Sequence, residues 1–133
     1  MNRFQILSIV VLVAASFTAS SQDVDCDGSH IAAMACQGKR LKDLDAELNR
    51  VYKLALDAMP EKDKQDIRKN REQLRKSQRA WLTFLHENCA LEGGLQGGSN
   101  SWVSTCAGDC EEKELTNRIA VLKSVTAGTF GNH

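Results

Sequence analysis

Proline is almost absent from this chain: Pro60 is the only one. Aromatic side chains are scarce as well, at 5%. With so few helix breakers, and with Leu, Ala, Lys, Glu, Arg and Gln abundant, the composition points to an all-helical protein. An excess of one charge is also missing. The 17 basic side chains, less Arg3 in a leader that is removed, leave 16 against 17 acidic ones. A chain so nearly neutral lacks the cations needed to neutralise phosphates, which argues against a nucleic-acid partner. Long hydrophobic runs are lacking too. The apolar run at residues 6–15 is roughly half the length of about twenty residues that a bilayer span requires.

What that run fits is a secretory signal over residues 1–21. Arg3 supplies the positive charge, the apolar stretch follows, and Ala19, Ser20 and Ser21 are small enough for cleavage just before Gln22. No cysteine follows the run closely, so a lipid anchor is not expected. Residues 22–133 are then a single domain with a core over about residues 26–125, periplasmic or secreted, with no stable membrane insertion after cleavage. No internal repeat is visible.

Cysteine usage agrees with export. Cys26, Cys36, Cys89, Cys106 and Cys110 all lie in the exported part, where an oxidising compartment lets thiols pair. Five is odd, so one thiol is free or paired between molecules. Zinc is the competing reading for Cys106 and Cys110, three residues apart. A zinc site ordinarily shows a second close ligand pair, and His30, His86 and His133 are scattered. No metal or other cofactor is expected.

Apolar spacing defines the helices. The first is expected from Ser29, as N-cap, toward Met59, with Met34, Leu41, Leu44, Leu48, Val51, Tyr52, Ala55 and Met59 on one face. Gly38 interrupts that stripe as a possible kink or division. Cys36 falls off the stripe, which suits a bond to Cys26 in the irregular segment before it. Pro60 is expected to open the second helix, with Glu61 and Asp63 in its first turn. On that helix Ile67, Leu74, Gln78, Trp81, Leu82, Leu85 and Cys89 gather on one face, with Trp81 as the largest core side chain. The short connection makes the two long helices an antiparallel hairpin. Glycines 93, 94, 97 and 98, followed by Ser99, Asn100, Ser101 and Trp102, read as a loop over residues 93–105. A shorter final helix is expected from Asp109 or Cys110, with Leu115, Ile119, Leu122 and Val125 as its apolar stripe.

Four separated patches carry a family resemblance. Asp45, Leu48, Asn49 and Tyr52 sit in a D-x-x-L-N-x-x-Y segment. Gln78, Trp81, Phe84 and Cys89 follow Q-x-x-W-x-x-aromatic-x-x-x-x-C. Gly97, Gly98 and Ser99 form a G-G-S motif, and Cys110, Arg118 and Leu122 keep C-x7-R-x3-L. In this order, over residues 26–123, they resemble the N-terminal domain of the lysozyme inhibitor LprI family of bacterial exported proteins. The chain departs from that pattern at Leu85 and His86, where the family often has Arg-Asp, and at Thr116, two rather than three residues before the arginine. The resemblance implies a Cys89–Cys110 bridge beside Cys26–Cys36, giving a disulfide-stapled fold. Cys106 has no family counterpart and is the expected free thiol, although exchange among Cys89, Cys106 and Cys110 stays open.

No catalytic constellation emerges from Cys106 with His86 or from Glu87 with Glu92, so the chain is not read as an enzyme. Asp45, Leu48, Asn49, Tyr52, Gln78, Trp81 and Arg118 have a structural reading: core area plus polar atoms for helix-to-helix or loop hydrogen bonds. Arg68, Arg75, Arg79 and His86 mark one flank of the second helix, a solvated face or a reader of acidic surfaces. The expected binding surface is the glycine-rich segment, with Ser99, Asn100 and Trp102, supported by Arg75 and Arg79. The resemblance supplies the target class: a lysozyme or other cell-wall hydrolase, inhibited by occlusion of its cleft. A periplasmic immunity protein or envelope-stress structural module makes the same demands on the sequence. Nothing in the residues sets the oligomeric state.

Overall fold

A computed structural model describes residues 25–59 and 69–128. The expected signal segment lies outside them, as do Pro60, Glu61, Asp63, Ile67 and Arg68 and hence the expected opening of the second helix.

Three helices make up the fold: α1 (His30–Asp57), α2 (Asn70–Gln96) and α3 (Asn100–Thr126). Ser29 caps α1 as its residue type predicts, its Oγ accepting the Ala32 N–H at 3.1 Å. The helix runs through Gly38 without a break, burying Gln37, Leu48, Val51 and Ala55. On α2 the buried set is Leu74, Gln78, Leu85, Cys89 and Gly93. On α3 it is Gly108, Cys110, Leu115, Ile119 and Leu122. Together the apolar members of these sets form one core, sealed by Leu41, Leu44, Tyr52, Leu56, Met59, Trp81 and Val125 at its margin.

The helix that everything packs against is α3. Both α1 and α2 lie along it, and they touch each other far less. Cross-links fix the directions. Gln78 meets Arg118 and Cys89 meets Cys110, so α2 runs antiparallel to α3. Gln37 meets Thr105, Arg40 meets Glu112 and Glu47 meets Lys123, so α1 runs parallel to it. The first two helices are therefore antiparallel, as the sequence predicts, with the third between them. At the far end Arg71 of α2 donates from Nη1 to the Leu56 and Met59 carbonyls, at 2.7 and 3.1 Å, and so ties the end of α1 to α2.

Three expectations need correction. The final helix is not the shorter one: α3 has 27 residues, as α2 does, and begins at Asn100 rather than near Asp109. The expected loop over residues 93–105 is helical apart from residues 97–99, where Gly97 (φ 63°) and Gly98 (φ 93°) take conformations that favour glycine. Trp81, expected as the largest core side chain, is only partly buried at the core's edge, and Leu82 from the same expected stripe is exposed.

The first correction and the second share a cause. Gly93 is glycine because α3 crosses it closely: a Cβ there would lie 2.6 Å from the Val103 carbonyl oxygen and 2.9 Å from the Ala107 Cβ. Its role is close helix packing, which composition alone reads as loop.

Both expected disulfides are present. Cys26–Cys36 ties the segment before α1 to that helix, and Cys89–Cys110, with both residues buried, ties α2 to α3. Cys106 is free and half-buried on α3. With Cys110 bonded to Cys89, the zinc pairing of Cys106 with Cys110 loses its second thiolate. Among the described residues no helix is long and apolar enough to cross a membrane.

Candidate functional site

Two of the motif residues meet at the α2–α3 interface. Arg118 donates from Nε to Gln78 Oε1 at 2.9 Å and from Nη2 to Ser77 Oγ at 3.1 Å. Its guanidinium lies over the Trp81 ring, 5.6 Å from the centroid, within cation–π range. Burial pulls its pKa below the usual arginine value, with Tyr52 of α1 acting the other way. Gln78 is itself buried, so its carbonyl needs this donor. No carboxylate among the described residues reaches ion-pair distance of Arg118, not even Glu114 one turn earlier on α3.

The α1–α3 side is joined by a polar ladder. Buried Gln37 donates from Nε2 to the Thr105 carbonyl (3.0 Å) and to Asp109 Oδ1 (2.8 Å), in space left by Gly108. Arg40 makes a forked pair with Glu112. Glu47 accepts from Arg50 and pairs with Lys123, and those two cations hold its carboxyl down at about 2. Of the motif residues on α1, Leu48 is core and Tyr52 seals its edge. Asn49 instead hydrogen-bonds Asp45 one turn back, at 3.2 Å on the exposed face, and makes no helix-to-helix bond among the described residues.

The residues expected to bind a partner fall in two places. Ser99, Asn100 and Trp102 stand at the α2–α3 turn. Ser99 is the N-cap of α3, its Oγ accepting the Trp102 N–H at 3.3 Å and lying 3.0 Å from the Ser101 hydroxyl, so that oxygen is already engaged. Asn100 and Trp102 occupy the first turn of the helix, not a free loop. The Trp102 side chain remains 49% exposed, its Cδ1 close to where a Cβ on Gly98 would project. Arg75 and Arg79 lie apart from this turn on α2, half-buried and exposed, and neither forms an ion pair among the described residues. The i,i+4 pair that does form on that helix is Glu72 with Lys76.

One feature of α2 escapes a reading centred on its core stripe. Ser77, Trp81, Phe84, Asn88, Leu91 and Leu95 recur at alternating steps of four and three, so they share a second flank beside the buried one. Phe84, Leu91 and Leu95 on it are 51%, 61% and 77% exposed. The stripe was visible as spacing, but Leu91 and Leu95 stand among glycines that read as loop. It runs from Arg118 to the α2–α3 turn, where Trp102 adds a further exposed aromatic.

Comparison with known proteins places this arrangement among relatives. The family profile described as Lysozyme inhibitor LprI matches residues 25–122. An uncharacterized protein of Rhizobium meliloti (strain 1021) is 32% identical over 129 residues, covering 89% of this chain and 93% of its own length. No solved structure matches the chain.

Proposed function

Because the chain belongs to the lysozyme inhibitor LprI family, we propose that it is an exported, non-catalytic binding protein that inhibits a lysozyme-like, peptidoglycan-cleaving enzyme. The α2–α3 turn enters or covers the enzyme's cleft. One observation carries the choice of surface: at this turn Trp102 and Leu95 remain exposed on a hairpin braced by the buried Cys89–Cys110 bond. A braced turn loses little conformational freedom on binding, and an exposed aromatic is the residue type that anchors interfaces. Asn100 presents an amide at the same place, and Arg75 and Arg79 act on association rate and salt dependence from a flank farther along α2.

The test is calorimetric binding to a panel of lysozymes, with inhibition of cell-wall hydrolysis measured in parallel. Trp102→Ala is expected to cost about 2 kcal/mol or more in affinity while leaving the thermal melt nearly unchanged. Equal affinity for Trp102→Ala and the parent would exclude the turn as the binding surface. A parent that binds no lysozyme would exclude the inhibitor reading itself.

A further inference from the structure

Arg118 is a cation that the fold holds in place without neutralising. Two of its N–H groups are engaged by neutral oxygens of Gln78 and Ser77, one face lies over Trp81, and no carboxylate among the described residues pairs with it. A guanidinium carries five donors, so three remain for another acceptor. Wherever the fold joins its other helices with arginine outside a local helical turn, it supplies a counter-charge or helix-end carbonyls: Arg40 has Glu112, and Arg71 has the end of α1. Arg118 has neither. Beside it begins the apolar flank of α2, from half-buried Trp81 through the exposed Phe84 and Leu91 to Leu95, about 21 Å long at 1.5 Å per residue. The polar members of that stripe, Ser77 and Asn88, are uncharged.

We infer that this flank is a protein-docking surface on which the partner lays an apolar strip along Phe84, Leu91 and Leu95 and presents an aspartate or glutamate to Arg118. The charge of the anchor fixes the sign of the partner's: a second cation at Arg118 would be repelled, and a neutral strip would leave the half-buried guanidinium without its counter-ion. The carboxylate accepts from the N–H groups that Gln78 and Ser77 leave unused, and those two side chains together with the Trp81 ring hold the fork in place before the partner arrives. This inference rests on the inhibitor reading for the identity of the partner, but adds Arg118, Phe84 and Leu91, which that reading does not use.

Two variants test it against the lysozyme that binds the parent most tightly. Phe84→Ser changes an exposed side chain and is expected to weaken binding several-fold with an unchanged melt. Arg118→Lys keeps the charge but loses the fork, and is expected to weaken binding at least tenfold. A scan of the enzyme's surface Asp and Glu residues to Asn and Gln supplies the readout that a merely structural Arg118 would not move. One substitution should weaken the parent complex but have little further effect on the Arg118→Lys complex. Additive losses at every enzyme carboxylate, or full affinity for Phe84→Ser and Arg118→Lys, would overturn the inference and leave the turn-based reading standing. Parent self-association abolished by Phe84→Ser would assign the flank to a second copy of this chain and overturn it too. A parent that binds no lysozyme removes the inhibitor reading, and this inference with it.

Discussion

Gly93 and Val103 approach so closely that a Cβ on Gly93 would sit 2.6 Å from the Val103 carbonyl oxygen. Backbone cannot swing aside as a side-chain tip can, so Gly93→Ala must separate α2 from α3. That substitution is expected to destabilise by about 1–3 kcal/mol, the usual cost of overpacking. Gly108→Ala meets the tip of Gln37 at 2.6–2.8 Å. There the side chain can move, at the loss of its bonds to Thr105 and Asp109, so the cost should be smaller. Gly38→Ala meets nothing within 4 Å and should stabilise by about 0.5–1 kcal/mol, as alanine does inside a helix. Urea titrations of the three variants check the order. Equal stabilisation by all three would mean that α3 does not cross α2 and α1 so closely.

Those glycines also mark what could be read from the residues alone. The Ser29 cap, the apolar face of Leu48, Val51 and Ala55, and the Cys26–Cys36 bond were legible because each depends on neighbours in sequence. The family spacing supplied Cys89–Cys110. The helical nature of residues 93–96 and 100–105 was not legible, because a glycine required by a close helix crossing looks the same in sequence as one required by a turn. Of glycines 93, 94, 97 and 98, Gly97 and Gly98 are the two with positive φ, at the turn. Arg118 shows the same limit. Its motif position marked it as a scaffold residue, and the structure bonds it to Gln78 and Ser77. Its lack of a carboxylate among the described residues depends on where three helices meet, which no local pattern encodes.

The two disulfides should differ in what they hold. Cys89–Cys110 lies within the core and adds a second covalent link between two helices that the chain joins through a three-residue turn. Replacing both cysteines with alanine is expected to cost about 2–4 kcal/mol. Cys26–Cys36 fastens an exposed segment to the first turns of α1, and the same change there should mainly release that segment. Denaturant midpoints for the two double variants, with hydrogen exchange to locate the loosened backbone, separate these effects. A larger midpoint shift from the Cys26–Cys36 variant would overturn the ranking.

Acid should weaken the α1–α3 contact through Glu47. Its carboxyl is held at about 2, against an ordinary value of 4.5, first by the hydrogen bond from Arg50 and then by that from Lys123. Between those values the unfolded chain binds the proton that the folded chain refuses, so stability rises with pH across the window. The contribution is complete above about pH 4.5 and is lost as pH falls toward 2. Asp57 and Glu72 are lowered as well, by Lys53 and Lys76, and they add to the acid slope. Those ion pairs lie within single helices, whereas Lys123 reaches Glu47 from another helix, so the Glu47 share includes an ion pair that requires the fold. Glu47→Gln should therefore flatten the dependence of the urea midpoint on pH between 5 and about 2.5, and Lys123→Ala should flatten it in part. Added salt should shrink the difference, because these ion pairs all reach solvent. The measurement is a set of urea titrations across that pH range for the parent and both variants. Parallel curves for the parent and Glu47→Gln would show that Glu47 carries none of the acid sensitivity.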